Sequence, residues 1–179
     1  MVVVKLFYGS STGNTRHVAY LIKTVLGNLI QEVRDIAESS PEDLRSADLL
    51  ILGVSTWEQG GLQRDWADFL PHFEEIDLHG KKVALFGLGD AHAFSGLFVH
   101  ALRTLHDKVK ERGAEVIGAW PTDGYSFEYS AAADKGYFAG LVIDEDNQSD
   151  MTVKRVADWA ALIKPHITGK QHRDDETFG

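Results

Sequence analysis

The chain has no cysteine among its 179 residues, so disulfides and thiolate metal sites are excluded. It has no apolar run long enough to span a bilayer, and Lys5 interrupts the opening Val2-Val3-Val4 run, which therefore does not read as a signal peptide. A cytoplasmic protein without a membrane partner is expected. Positive charge is scarce: 18 Lys and Arg stand against 27 Asp and Glu, for a net charge of −9. That balance argues against nucleic acid, whose phosphates need a basic footprint, and fits steering toward a basic protein partner. The eight histidines show no metal-ligand spacing. Internal repeats, linkers and low-complexity tracts are also missing. An apolar fraction of 44% and a charged fraction of 25% suit one globular domain, expected over residues 1–168, with a polar, flexible tail over 169–179.

What the chain does hold is a run of small, mostly hydroxyl-bearing residues near its start. Leu6-Phe7-Tyr8-Gly9-Ser10-Ser11-Thr12-Gly13-Asn14-Thr15 follows an apolar stretch and precedes a helical pattern. Gly9 to Thr15 carries no charge, and Ser10, Ser11, Thr12 and Thr15 supply hydroxyls. A strand that breaks into such residues and then enters a helix makes an anion cradle. The first-turn amides have no internal partner, and the helix dipole favours negative charge there.

Apolar runs and helical stripes alternate along the rest of the chain. Strands are expected at Val2–Tyr8, at Ile30–Ile36 more weakly, at Asp48–Val54, Lys82–Phe86 and Glu115–Trp120, with a strand-like run resuming at Leu141-Val142-Ile143. Helical spacing appears at Val18, Ile22, Val25 and Leu26, and Ser40-Pro41-Glu42-Asp43 reads as a helix start. Trp66, Phe69, Leu70 and Phe73 form another stripe, which Pro71 should kink or shorten. Leu102, Leu105 and Val109 give a further helix, and a last one spans about Thr152–Lys164 with Val153, Val156, Ala157, Ala160 and Ile163 inward. Pro121–Gly140, rich in aromatics, fits no simple element. The alternation predicts a parallel sheet with helices on both faces. The Gly-containing breaks after the first, third and fourth strands then fall at one sheet edge, where such folds bind ligands. There Trp57 and Phe94, both in polar loop contexts, could hold a flat ring between them. Trp66, Trp120 and Trp159 read as packing residues.

Short motifs narrow the phosphate chemistry. Only three residues separate Gly9 from Gly13, and Asn14 stands where a Walker loop has lysine. Gly87 and Gly89 begin a dinucleotide fingerprint that His92 breaks. Gly9-Ser10-Ser11-Thr12-Gly13 also matches G-x-S-x-G, so a serine hydrolase with Ser11 as nucleophile is one reading. Against it, the turn follows the first strand, and no upstream segment is left to supply a second oxyanion-hole amide.

Taken together, Leu6–Thr15, Leu50–Trp57, Val83–Asp90, Trp120–Tyr125 and Gly140–Ser149 resemble the flavodoxin family from residue 2 to about 165. The resemblance implies a doubly wound five-stranded parallel sheet in the order 2-1-3-4-5, for which flavodoxin is itself the standard example. It also implies a long-chain insertion, Pro121–Gly140, splitting the last strand. Its cofactor would be non-covalent FMN. Ser10, Ser11, Thr12, Gly13, Asn14 and Thr15 would hold the phosphate, and Thr56 and Asp146 would lie near the ribityl chain. Trp57 and Phe94 would face the ring, with Ser55, Glu58, Gln59, Gly60, Leu88 and Gly89 around it and Asp90 at the pyrimidine end. Phe94 stands where the family usually has tyrosine. The function implied is low-potential one-electron transfer between a basic-surfaced flavodoxin or ferredoxin reductase and acceptor redox enzymes, by a monomer without a catalytic residue of its own. A quinone- or NAD(P)H-using flavin reductase of the same fold is the alternative. The family turns a backbone carbonyl of the Trp57–Gly60 loop toward the flavin, and the side chains of Glu58 and Gln59 are expected to resist part of that backbone range.

Overall fold

Val4–Tyr8 forms β1, which runs between two parallel neighbours, β2 (Glu32–Asp35) and β3 (Leu49–Trp57). The structure is a computed structural model that describes residues 1–169, so all but the first residue of the expected tail lies outside the described residues. β3 turns back into a short antiparallel partner, β4 (Gly61–Leu62), and pairs on its other side with β5 (Lys82–Leu88). The outer neighbour of β5 comes in two pieces. β6 (Glu115–Ile117) pairs with Lys82–Ala84, and β10 (Leu141–Ile143) pairs with Phe86–Leu88. Taking β6 and β10 as one broken strand gives the expected order, second-first-third-fourth-fifth.

The central strands are buried on both faces, as their near-continuous apolar sequence requires. Along β3, Leu50, Leu52 and Val54 enter one core while Leu49 and Ile51 enter the other, each at most 1% exposed. Full burial of such side chains stabilises by roughly 1.5–3 kcal/mol apiece. α1 (Asn14–Leu26) and α5 (Thr152–Thr168) cover the second core. The short α2 (Pro41–Arg45), α3 (Arg64–Phe69) and α4 (His100–Glu111) cover the first. α2 begins with the expected capping box, Ser40 and Asp43 each accepting from the other's backbone amide. α3 ends where Pro71 predicts, passing into a 3-10 turn at Leu70–Glu75. Among the described residues no helix is long and apolar enough to cross a membrane.

Three expectations need correction. The fifth strand does not run from Glu115 to Trp120. It stops after Ile117, because Gly118 takes φ 82° with Trp159 and Ile163 too close for a side chain. The chain then leaves the main sheet. β7 (Trp120–Pro121), β8 (Ala133–Asp134) and β9 (Tyr137–Phe138) make a small antiparallel sheet from the segment that had no simple reading. Its aromatics, Tyr125, Phe127 and Phe138, pack on Phe98 with ring centroids 5.4–6.2 Å away. In α5 the inward stripe is Thr152, Arg155, Val156, Trp159, Ala160, Ile163 and Ile167; Val153 and Ala157 face out. Trp159 sets that phase, fully buried with its Nε1 donating to the Gly118 carbonyl at 2.8 Å. In α1, Val18, Ala19, Ile22 and Leu26 are buried, while Val25 is exposed.

Candidate cofactor-binding site

The loop after β1 rises between two partners that leave no room for a side chain. A Cβ on Gly9 would lie 2.2 Å from Gln63 Oε1 and 2.7 Å from Trp66 Cδ1. Beyond Gly9 the chain is exposed from Ser11 to Asn14. The Ser10 hydroxyl accepts from the Gly13 amide at 3.0 Å, and Gly13 turns the backbone with φ 96°. α1 starts at Asn14 without an acid in its first turn, and no side chain of the described residues caps it. Its free first-turn amides, the hydroxyls of Ser11, Thr12 and Thr15, and the helix dipole all favour an anion there.

β3 supplies the second loop. Trp57 is the last residue of that strand, not a loop residue as the sequence pattern implied, because β4 extends the pairing to Trp57 and Gly61. The residue stays 40% exposed, with its Nε1 donating to Ser55 Oγ at 2.8 Å. Thr56 Oγ1 accepts from the Ala101 amide at 3.0 Å and so ties α4 to this loop. The hairpin turn contains three positive φ values in a row: Glu58 21°, Gln59 25° and Gly60 85°. The Gly61 amide closes it on the Glu58 carbonyl at 2.8 Å. Gly60 rests against the ring of His100.

The third and fourth loops are tied to each other. Asp90 Oδ1 accepts from the amides of His92 and Ala93 at 3.0 and 2.9 Å, and from Asn147 Nδ2 at 2.8 Å. Burial alone would raise the Asp90 carboxyl, but these bonds from Ala93, Asn147 and His92 outweigh it and hold the group below its ordinary value. Asp144, only 1% exposed, accepts from the Ala91 and Asn147 amides and from Asn147 Nδ2. Burial pushes the Asp146 carboxyl up, and the neighbouring charges of Asp90, Asp144 and Glu145 push it further. Phe94 projects from the third loop with 48% of its surface exposed.

These loops enclose a cleft of about 620 Å³, within the ordinary range for small-ligand sites. Its lining brings together Ser11, Thr12, Asn14 and Thr15 from the first loop, Ser55, Thr56, Trp57 and Glu58 from the second, Leu88, Gly89, Asp90 and Phe94 from the third, and Asp146. Four other expected residues are not in its lining: Ser10 and Gly13 bond to each other, and Gln59 and Gly60 sit in the hairpin turn. Glu145 lines the cleft without having been singled out; the acidic run Asp144-Glu145-Asp146 was its only signal. The lining combines uncharged donors from the first loop, two aromatic side chains and the carboxylates of Glu58, Asp90, Glu145 and Asp146. That donor set suits a phosphate-bearing ligand with a flat ring. Ser11 lacks the setting of a nucleophile. Its oxygen accepts from Gln63 Nε2 at 3.0 Å, and an amide cannot act as a base toward it.

A parallel sheet wound on both faces, with a ligand cleft at the carboxyl ends of its strands, defines a doubly wound α/β binding protein. A family model described as flavodoxin matches residues 6–159. Flavodoxin 1 of Salmonella typhimurium is 46% identical over 176 residues, covering 98% of both chains. The flavodoxin of Klebsiella pneumoniae is 49% identical over 168 residues, covering 93% of this chain and 96% of that one. Among solved structures, Fusobacterium nucleatum flavodoxin bound to flavin mononucleotide superimposes with a TM-score of 0.88 at 33% identity, covering 93% of this chain and 99% of that chain. The chain belongs to the flavodoxin family.

Proposed function

We propose that this chain is a one-electron carrier that holds FMN non-covalently and passes electrons between a reductase and acceptor redox enzymes. One observation carries the reading. A single cleft joins an uncharged anion cradle, two exposed aromatic side chains and a group of carboxylates. The fit is chemical as well as spatial. The phosphate is offered amides and hydroxyls, with no acid in the first turn of α1. When bound, the flavin supplies the redox chemistry.

The protein's own residues do the rest. Ser11, Thr12, Asn14 and Thr15 grip the phosphate end, and Thr56 and Asp146 flank the chain between phosphate and ring. Trp57 and Phe94 exclude water from the ring faces. Asp90, Glu145 and Asp146 set a negative field that disfavours adding negative charge to the ligand, which lowers its reduction potential. The alternative, a quinone- or NAD(P)H-using reductase, is not favoured by relatives that are flavodoxins from end to end.

The finer assignments are part of the same proposal. The functional unit is one domain over residues 1–168, working as a cytoplasmic monomer. Its net charge of −9 suits a partner with a basic docking face, such as a flavodoxin or ferredoxin reductase. The test is a visible spectrum of the purified protein, followed by titration of the flavin-free form. Flavin absorption bands and quenching of tryptophan fluorescence by FMN are expected. NADPH alone should leave the flavin oxidised until a reductase is added. A colourless protein whose tryptophan fluorescence FMN does not quench overturns the reading.

A further inference from the structure

Gln63 stands outside the cleft, 1% exposed, yet it touches two of the loops that build it. Its backbone amide donates to the Ser55 carbonyl at 3.1 Å. Its side chain caps α3: Oε1 accepts from the Asp65 and Trp66 amides at 3.1 and 3.3 Å. That leaves Nε2 as the donor, and both of its protons are used. One goes to Asp65 Oδ2 at 2.8 Å, the other to Ser11 Oγ at 3.0 Å across 52 residues of sequence. The orientation of the amide is therefore fixed: two backbone N–H groups demand its oxygen, and a carboxylate demands its nitrogen. Gly9 is what allows the approach, since any side chain there would collide with Gln63 Oε1.

We propose that Gln63 is a positioning residue for the phosphate end of the cleft, acting through the Ser11 hydroxyl. The inference rests on the FMN reading above. A serine hydroxyl has one proton and two lone pairs. Gln63 occupies a lone pair and leaves the proton free to point into the cleft. The carboxylate of Asp65 polarises the same amide from behind, which strengthens its donation to Ser11. The amide also keeps that carboxylate away from Ser11. A carboxylate in contact with the hydroxyl would take its proton and turn it from the anion. Ser11 is thus set as a donor before any ligand arrives.

The experiment compares FMN with riboflavin, which has the ring and side chain but no phosphate. Gln63→Met keeps the volume and removes the donor. FMN affinity should fall about tenfold, the worth of one hydrogen bond to a charged group, while riboflavin affinity stays within about twofold. Adding Ser11→Ala should abolish the further effect of Gln63→Met on FMN. Gln63→Glu adds a pH signature. Its FMN-to-riboflavin affinity ratio, normalised to wild type at each pH, should recover as the new carboxyl is protonated and becomes a donor again. Equal losses for both ligands, or additive effects of the Ser11 and Gln63 changes, overturn the proposal. Should Gln63→Met fail to fold, a flat normalised pH profile for Gln63→Glu does the same. A wild type that binds neither ligand instead overturns the FMN reading.

Discussion

Glu58 and Gln59 carry side chains at backbone angles that favour glycine, φ 21° and 25°. Such conformations cost a residue with a Cβ about 1–2 kcal/mol. The pair was expected to resist part of the loop's backbone range. The structure holds it in that strained region, closed by the Gly61 amide and backed by His100 under Gly60. Gln59→Gly should raise stability by about 1 kcal/mol in urea titration. It should also move the potential for the first electron, since the loop then turns more freely; an unchanged potential shows that the pair does not restrain it. Trp57 and Phe94 were readable beforehand because aromatics in glycine-containing polar stretches stand out from helix and strand periodicity. Gln63 was not. It looks like any polar residue before a helix, and its partner Ser11 lies 52 positions away.

At the scale of elements, sequence patterns carried the main strands and the phases of α3 and α4, where both periodicities are strong, and the capping signature carried the start of α2. They failed where a tertiary contact sets the geometry. Gly118 breaks the fifth strand under Trp159; a lone glycine in an apolar run suggests a bulge, and the contact with Trp159 turns it into a strand end. The 118–140 segment also bonds back to the third loop. Glu128 and Tyr129 amides donate to the Ser95 carbonyl at 3.0 and 3.1 Å, and Ser130 Oγ donates to the Phe98 carbonyl at 2.5 Å. Ser130 is 2% exposed and also accepts the Ala132 amide. Ser130→Ala leaves two buried backbone groups without their partner. It should cost about 1–3 kcal/mol in thermal or urea unfolding, and the cleft end that carries Phe94 should exchange amide hydrogens faster.

The whole molecule is acidic, with a net charge of −9. Exchange with a basic reductase should therefore slow as ionic strength rises from about 0.05 to 0.5 M, because screening shortens the reach of the field. Stopped-flow rates that do not change with salt count against electrostatic docking. Stability should respond to pH through the imidazoles of His106, which is buried, and His100, which is half-buried. Burial lowers the pKa of His106, against the opposing pull of Asp107, and burial also lowers that of His100. The unfolded chain then binds more protons than the folded one as pH falls. Stability is full above the unfolded histidine value of about 6.5, falls as pH drops through it, and stops falling at the depressed folded value. His106→Gln should flatten part of that slope in urea midpoints measured between about pH 7.5 and 5.5.

The broken fifth strand has a consequence for chain connectivity. Ile117 sits opposite Ala84 and Leu141 opposite Phe86, so the two halves leave a gap of one position, facing Leu85. Gly140 passes that point so closely that a Cβ would lie 2.0 Å from the Leu85 carbonyl oxygen. In register terms, more than twenty residues are spliced into a single rung of the ladder. Joining Ile117 to Leu141 through one residue would keep every other rung in place, so the sheet does not need the detour. What the detour touches is the third loop: it bonds to Ser95 and Phe98, on the C-terminal side of Phe94, without altering a rung of the sheet.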